Sequence, residues 1–425
     1  MRWFFVVLLC ATHSAAHLAG VRVDRDTSTW RDAYNRTLLW RGTNFVQKEP
    51  PYYPVIADAD ITVMQQMGFN VARVGVMMPG LFPTGPTPNA AYLAATKAVV
   101  DRLWAAGVAV IIDLHQDVLS PQLCGEGSPP WMLNVSSLGS LAFPEPLEAH
   151  GVPADPATGS FPNKSCAAAG PLKFIGWSEF YMTDACGKAF EQMYGGDGTM
   201  APGVAPLSYM FDTYWHVVAA FFRGHPGVLA YELLNEPWMG DVLTTPSLLL
   251  EAGAAEKLSV GPFMERMHGA VRQSDPDTPV LYRCVPPDPT QIRLRSNSAP
   301  AQIPLRSHSD PTQIPLRSRQ IPLLPPDCDA SLLHVHSPAE LNNRLMRRVG
   351  YEEGFLPGEP MAFHVYCLTG TDGDGPTTPL AKELCHFNDG FQLTQRTDDL
   401  RRLRTAGIVT EFGAVSASAT GPVGI

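Results

Sequence analysis

Short β-rich segments alternate with helical segments along most of this chain, and this alternation restricts its fold more than any other feature. The strand-like segments are 38–45, 71–77, 108–115, 228–236, 279–285, 362–367 and 408–413. Five of them follow helical patterns, at 59–67, 90–106, 209–222, 261–272 and 394–406. Such alternation predicts β-α-β units and a parallel sheet. Seven units in line favour an α/β fold of the TIM-type (β/α)₈ barrel, with a doubly wound open sheet as the alternative.

Length and composition agree with a globular barrel. The chain has 425 residues, and a barrel of this type needs about 250, which leaves room for insertions. Apolar residues make up 45% and charged residues 17%, so the chain has ample material for a core. The net charge of −10 argues against nucleic acid as a partner.

Two regions depart from a regular barrel. Residues 286–327 contain the repeats TQIRLRS, AQIPLRS and TQIPLRS, beginning at 290, 301 and 312. This Pro/Arg/Ser-rich tract predicts a disordered insertion without a catalytic role, with a β-helix repeat, a translated intron or a recent duplication as alternatives. At the other end, the chain stops 14 residues after Glu411. We therefore expect the barrel at 20–425 to be incomplete at its C-terminus, without an eighth unit.

The N-terminus has the pattern of a secretory signal peptide over residues 1–19. Arg2 precedes the apolar run 3–11, and small residues follow at 14–16. This pattern predicts a secreted protein or one of a secretory or digestive compartment, with a buried N-terminal strand as the alternative. Glycosylation sequons begin at Asn35, Asn134 and Asn163.

Cysteine spacing gives a weaker indication than the N-terminal pattern. Removing the signal peptide leaves seven cysteines, and an oxidising compartment favours pairing of some of them. Cys166 and Cys186 flank one insertion-like segment, so we favour a disulfide between them. The spacings do not resemble a zinc site, and no metal site is expected.

Polar residues stand at the C-terminal ends of the predicted strands. They are Asn44, Arg73, His115, Asn235, Glu236, His364 and Glu411. In a β/α barrel the active site lies at this rim, because all strands end there. The sequence therefore predicts that these side chains, although far apart along the chain, meet in one site.

Two of these residues are carboxylates suited to glycoside hydrolysis. Glu236 ends an apolar strand within Asn-Glu-Pro, and Glu411 lies inside the apolar strand IVTEFG. A helix cap is the structural alternative for the first, and a buried salt bridge for the second. Retaining hydrolysis requires a nucleophile and an acid whose carboxyl groups lie about 5–5.5 Å apart. The second negative charge is expected to hold the pKa of the acid up.

The order of motifs along the chain resembles glycoside hydrolase family 5, and within it the endoglycoceramidase branch. The resemblance covers about 36–290 and 350–415. It rests on the blocks RGTNF with Lys48 and PYYP, DLHQD at 113–117, ELLNEPW at 232–238, HVYC at 364–367 and TEFGA at 410–414. Members of this family have a (β/α)₈ barrel, an eighth strand and a C-terminal β-sandwich, and the last two are absent from the pattern here.

The resemblance implies a cofactor-independent retaining glycosidase that cleaves the β-glucosyl linkage between oligosaccharide and ceramide. By motif position, Glu236 would be the general acid/base and Glu411 the nucleophile. Asn235 would hold the sugar 2-hydroxyl. The remaining implied roles are glucose binding by Lys48, His115 and Asp117, orientation of the nucleophile by Arg73, and positions beside the nucleophile for His364 and Tyr366.

Each supporting residue also has a structural interpretation. Arg73 could form a structural ion pair, His115 could be a core histidine, and Lys48 could be a solvated loop residue. Trp131 and Met132 could line a groove for lipid chains or could simply pack their loop.

Two other functions stay open at this stage. One is a β-glucosidase or glucanase acting on sterol glucosides, glucosylceramide or β-glucans. The other is a truncated, inactive glycolipid-binding protein. The expected partners are a glycolipid or oligosaccharide and, transiently, lipid surfaces, while the oligomeric state stays open.

Overall fold

The computed structural model describes residues 20–133, 177–195, 207–251, 253–283, 355–367 and 379–414, together with Leu18, Leu138 and Tyr351. The predicted insertion at 286–327 lies outside these ranges, as does the predicted signal peptide apart from Leu18. In the part of the chain that is described, no helix combines the length and apolar character needed to cross a membrane.

A parallel sheet of seven strands forms the framework. Two short antiparallel strands come first, β1 (Arg22–Asp24) and β2 (Thr29–Arg31). The parallel strands that follow are β3 (Gly42–Phe45), β4 (Val71–Gly75), β5 (Ala109–Asp113), β6 (Val228–Glu232), β7 (Val280–Arg283), β8 (Met361–Cys367) and β9 (Gly407–Ala414). They pair in chain order, and β3 and β9 approach to within 8 Å between Cα atoms. The predicted TIM-type (β/α)₈ architecture is confirmed as a nearly closed barrel.

Helices connect the strands much as the sequence predicts. They span Asp58–Gln66, Met78–Leu81, Ala90–Ala105, Asp184–Gly195, Leu207–Phe222, Ser247–Leu250, Gly261–Ser274 and Pro379–Leu403. Asn89 begins the third of these, because its side chain accepts hydrogen bonds from the backbone amides of Ala91 and Tyr92. The helix before β9 begins 15 residues earlier than the predicted 394, at Pro379.

Side chains inside the barrel form an apolar lower layer and a charged upper layer. Side chains alternate across a strand, so Val71 and Arg73 of β4 share the interior face. The lower layer includes Val71, Ala109, Ile111, Leu281 and Ala362. The upper layer contains Arg73, Asp113, Glu232, Arg283 and His364, all buried. The strand ends therefore bring ionisable groups together above an apolar floor.

An irregularity in β9 turns two consecutive residues toward the interior. Phe363 pairs with Val409 and His364 with Glu411, so Thr410 is an extra residue between the two pairs. The Thr410 hydroxyl donates to Glu232 Oε1 at 3.3 Å, and Glu411 Oε2 lies 3.5 Å from Arg73 Nη1. This β-bulge re-aims side chains, as bulges near active sites commonly do.

The β1–β2 hairpin closes the lower end of the barrel and was not anticipated from the sequence. Trp30 of β2 is 4% exposed and packs with the apolar lower layer. Its indole N–H donates to the carbonyl of Gly407 at the start of β9, at 3.2 Å. The hairpin thus ties the first described residues to the last strand.

Two sequence predictions outside the site are resolved by packing. Cys186 is a fully buried free thiol within the helix Asp184–Gly195, so the predicted Cys166–Cys186 disulfide is wrong. Cys124, by contrast, forms a disulfide. Met132 is fully buried, and the Trp131 indole donates to the carbonyl of Phe82 at 2.8 Å. Met132 therefore packs its loop, whereas Trp131 is hydrogen-bonded and only partly buried.

Replacing Trp30 with alanine should destabilise the barrel strongly. Removing a buried aromatic ring costs about 3–5 kcal/mol, because the cavity cannot fully collapse. Denaturant unfolding of Trp30→Ala should show this loss in the free energy of unfolding. Tyr34→Ala is the matched control, since Tyr34 is 70% exposed and surface changes stay within about 0.5 kcal/mol. Equal losses in both variants would contradict the closing role of Trp30.

Candidate active site

Two carboxylates at the rim contact the same imidazole ring. His364 Nδ1 lies 2.7 Å from Glu236 Oε1, and His364 Nε2 lies 3.3 Å from Glu411 Oε2. The ring is almost completely buried, whereas the two carboxylate side chains are 18% and 19% exposed. The structure therefore brings Glu236 and Glu411 together at one imidazole ring.

The turn that carries Glu236 is held in an unusual backbone conformation. Glu236 has φ of +37°, which non-glycine residues seldom adopt. The side-chain amide of Gln116 donates to the carbonyls of Asn235 and Glu236 at 2.7 and 3.0 Å. Gln116 Oε1 in turn accepts from the amide of Leu119. Gln116 therefore links the turn that carries Glu236 to the loop that follows β5 through these hydrogen bonds.

Arg73 is the hub beneath the two carboxylates. Its guanidinium contacts Glu232 at 2.7 Å, Asn235 Oδ1 at 2.8 Å and Asp113 at 3.0 Å. Its contact with Glu411 is longer, at 3.5 Å. The resemblance implies that Arg73 orients Glu411. In the structure, Arg73 has a shorter contact with Glu232, at 2.7 Å, than with Glu411, at 3.5 Å. Glu232 was not predicted from the sequence as a site residue.

A second branch of alternating charge runs from Arg73 toward the surface. His115 lies between Asp113, at 2.8 Å from Nδ1, and Asp117, at 3.3 Å from Nε2. The Lys48 ammonium contacts Asp117 at 2.6 Å and Glu126 at 2.5 Å. Lys48 is thus an ion-paired residue rather than a solvated loop lysine.

The same branch has the donor types of a metal site. Ligand atoms of His115, Asp117 and Glu126 lie within 4.8 Å of one another. The Lys48 ammonium contacts two of these three residues. The cluster therefore already holds a cation from the protein itself.

The surroundings give the two ends of the site different acidities. Burial, followed by the negative charge of Asp117, raises the pKa of Glu236. Among the charged neighbours of Glu236, Asp117 raises its pKa most. The sequence predicted this role for Glu411. Burial also opposes the charge of Glu232, but Arg73 and Arg283 outweigh it and lower the pKa of Glu232 to about 2. Glu236 is suited to carry a proton, and Glu232 to remain charged.

The two histidines of the site differ in charge. Burial opposes protonation of His115, but its hydrogen bonds to Asp113 and Asp117 outweigh burial and raise its pKa to about 9. Burial and the neighbouring Arg283 lower the pKa of His364 well below its usual value. His115 is therefore a cation at neutral pH, and His364 is neutral.

Most residues predicted for the site are brought together. The described side chains are Lys48, Arg73, His115, Asp117, Asn235, Glu236, His364 and Glu411, and all belong to this one network. Tyr366 lies on β8 opposite Gly413, and its side chain is outside the described residues. Six further residues of the network were not predicted from the sequence: Asp113, Gln116, Glu126, Glu232, Arg283 and Thr410. A charge within an apolar strand, as in VLAYELL and PVLYRCV, is the signal that could have found Glu232 and Arg283.

Comparison with known proteins decides the family. Residues 31–285 match the model for cellulase, glycosyl hydrolase family 5. The chain belongs to glycosyl hydrolase family 5. Within the family it is similar to endoglycoceramidases of Hydra vulgaris and Cyanea nozakii, with 32% and 30% identity over 273 residues. These matches cover 62% of this chain and about half the length of each relative.

Solved structures of the family agree with the fold. One similar structure is endo-glycoceramidase II from Rhodococcus sp. in complex with ganglioside GM3, with 20% sequence identity and a TM-score of 0.57. The match covers 90% of this chain and 68% of the chain in that structure. A crystal structure of an endogalactoceramidase gives a TM-score of 0.53 at 18% identity, covering 92% of this chain and 68% of its own. At this identity the likeness supports the family 5 barrel alone.

The charge of His115 should make stability depend on pH above neutrality. Because its pKa is raised from 6.5 to about 9, His115 stabilises the fold fully below pH 6.5 and loses this effect as pH rises past 9. The wild-type protein should therefore have a higher free energy of unfolding than His115→Asn at low pH. The difference between the two proteins should fall by about 3 kcal/mol between pH 6.5 and pH 9. Urea unfolding at pH 6, 7.5 and 9.5 measures it. A constant difference would contradict the charged His115.

Proposed function

We propose that this chain is a retaining β-glycosidase that releases intact oligosaccharide from glycosphingolipids. The observation that carries the proposal is the contact of Glu236 and Glu411 with opposite nitrogens of His364, at 2.7 and 3.3 Å. Two carboxylates on either side of one small group can flank one glycosidic bond, and retention requires such a pair.

The two carboxylates take different roles in this proposal. Glu411, with Arg73 at 3.5 Å, attacks the anomeric carbon as the glycosidic bond breaks, and Glu236 gives its proton to the leaving oxygen. Glu236 then accepts a proton from the water that hydrolyses the glycosyl-enzyme. The raised pKa of Glu236, caused first by burial and then by Asp117, supports its role as the acid.

The branch at Lys48 is suited to hold the sugar. Asp117 and Lys48 present charged hydrogen-bonding groups, and Lys48 is 37% exposed. His115 has carboxylates at both nitrogens and would orient Asp117 from below. Asn235 completes the proposed sugar contacts, and the position of Tyr366 beside the nucleophile stays a prediction. Asn235 is held by Arg73 and by the carbonyl of Gln116.

The proposed substrate class follows from the family 5 relatives. Two curated relatives at 30–32% identity are named endoglycoceramidases. A 25% match to a glucosylceramidase of Rhizopus delemar, over 49% of this chain, favours simple glucosylceramide as a second candidate. Both substrates are glycolipids, so transient contact with lipid surfaces forms part of the proposal.

We further propose that the protein enters the secretory pathway. Arg2 followed by the apolar run at 3–11 supports this, as does the exposed position of Asn35 in the first sequon. Expression of the whole chain in animal cells should give protein in the medium whose N-terminus lies near residue 20. Retention of the untrimmed chain in the cytosol would contradict it.

Loss of the nucleophile should abolish glycolipid cleavage without unfolding the protein. Glu411→Gln removes the attacking negative charge, so release of oligosaccharide from ganglioside GM3 should fall by at least about 10⁴-fold. Mass spectrometry of oligosaccharide and ceramide measures the release, and circular dichroism checks the fold. The matched control is Glu251→Gln, because Glu251 is exposed and should leave turnover unchanged.

The pattern of products separates the candidate functions. Intact oligosaccharide and ceramide from the ganglioside support the proposal. Glucose released from glucosylceramide, with the ganglioside left intact, supports the glucosylceramidase candidate. Glycolipid that binds without any release indicates a binding protein and contradicts the proposed enzyme, as would near-normal turnover by Glu411→Gln.

A further inference from the structure

Arg283 lies one step behind the proposed catalytic pair. It ends β7 and is buried, at 1% exposure. Its Nη1 donates to Glu232 Oε1 at 2.8 Å and lies 2.5 Å from His364 Nε2. A longer contact, at 3.4 Å, reaches the Thr410 hydroxyl. Arg283 therefore connects the buried Glu232 to the ring that both catalytic carboxylates contact.

The Arg283 contact fixes which nitrogen of His364 carries hydrogen. A guanidinium stays protonated and can only donate hydrogen bonds. His364 Nε2 must therefore accept, and the hydrogen of the neutral ring resides on Nδ1. Nδ1 lies 2.7 Å from Glu236 Oε1, so it donates to that oxygen. When Glu236 is protonated, Oε1 is thus the accepting oxygen and the acidic proton is carried by Oε2.

The other histidine of the site shows what happens without such an arginine. His115 and His364 each have a carboxylate near both ring nitrogens. Both nitrogens of His115 face carboxylates, Asp113 at 2.8 Å and Asp117 at 3.3 Å, and these two negative charges favour a cationic ring. At His364 the Nε2 side is shared with the Arg283 guanidinium. A second cation there would be repelled, so the ring donates to Glu236 alone.

We propose that Arg283 is a positioning residue that holds His364 as the neutral Nδ1–H tautomer, and thereby places the transferable proton of Glu236 on Oε2. The inference rests on the proposed glycosidase function. In the first step, the Oε2 proton passes to the glycosidic oxygen as its bond to the anomeric carbon breaks, and Glu411 forms the new bond to that carbon. Without Arg283, His364 can take up a proton and pair with both carboxylates, which stabilises Glu236 as the carboxylate.

The test compares two substrates that differ in their need for an acid. Phenyl β-lactoside has a leaving group that requires protonation, whereas 2,4-dinitrophenyl β-lactoside does not. In Arg283→Met, kcat/KM for the phenyl glycoside should fall by about 100-fold or more, the size of a general-acid effect. For the dinitrophenyl glycoside it should fall by less than about fivefold, because kcat/KM reports only the first step.

The pH profile provides a second readout. Among the described residues, the charged groups that face His364 are Arg73 on β4, Glu232 and Glu236 of β6 and its following turn, Arg283 on β7 and Glu411 on β9. Replacing Arg283 removes a positive charge that lowers the pKa of Glu236, but it allows His364 to become cationic at 2.7 Å from that carboxylate. The hydrogen-bonded cation outweighs the more distant one that is lost. A cationic ring beside Glu236 favours its carboxylate, so the alkaline limb of kcat/KM for the phenyl glycoside should move to lower pH. An unmoved limb contradicts the proposal.

Controls separate positioning from loss of structure. Arg266→Met removes a partly buried arginine that pairs with Asp212 away from the site, and it should leave the ratio of the two kcat/KM values unchanged. If Arg283→Met does not fold, Arg283→Lys replaces it in the test, because lysine keeps the positive charge. Arg283→Lys should shift the ratio of the two kcat/KM values in the same direction but by a smaller factor. Equal losses on both lactosides in the Arg283 variants overturn the proposal.

The same substrates distinguish failure of the inference from failure of the proposed function. Wild-type turnover of both lactosides without oligosaccharide release from ganglioside GM3 would contradict the proposed substrate alone. A wild-type protein that hydrolyses neither lactoside nor ganglioside contradicts the glycosidase function and this inference together.

Discussion

The buried carboxylate of Glu232 is the constraint on which the rest of the site depends. It is completely buried at the end of β6, and an isolated charge there would cost several kcal/mol. Arg73 on β4 and Arg283 on β7 neutralise this charge, with contacts to the Glu232 carboxylate at 2.7 and 2.8 Å. Each arginine also contacts further residues at the rim, Arg73 on the side of β5 and Arg283 on the side of β8. The site is therefore organised by an ion triad that we place out of contact with the substrate.

From this triad two branches leave in opposite directions. Through Arg73, charge alternates along Asp113, His115, Asp117 and Lys48, which ends at the more exposed side of the rim. Through Arg283, the network reaches the uncharged His364 and then the proposed catalytic pair, Glu236 and Glu411. A fixed array of charges suits binding of sugar hydroxyls, and a neutral hydrogen-bond donor suits a carboxyl group that must hold and release a proton. The two histidines have these different states because their neighbours differ.

Strand order and the rim were accessible from the sequence, because most of the predicted strands combine β-rich composition with a polar residue at the end. Asn235 and Glu236 follow an apolar strand, and Glu411 interrupts one, so the sequence pattern alone marked them as candidate site residues. Glu232 and Arg283 were not recognised, since their value depends on which strand face is interior. The bulge at Thr410 and the contact of Trp30 with the barrel floor likewise depend on pairing between distant segments. The wrong cysteine pair has the same cause, since spacing alone did not reveal that Cys186 is buried within a helix.

The central claim is that Glu411 is the nucleophile opposite the acid Glu236. The most direct measurement is mass spectrometry of proteolytic peptides after incubation with a 2-deoxy-2-fluoro β-lactoside that has a good leaving group, because the fluorine slows hydrolysis of the glycosyl-enzyme. We predict a stoichiometric sugar adduct on the peptide that contains Glu411. An adduct on the Glu236 peptide, or turnover of unmodified lactosides with inversion at the anomeric carbon, would contradict this account.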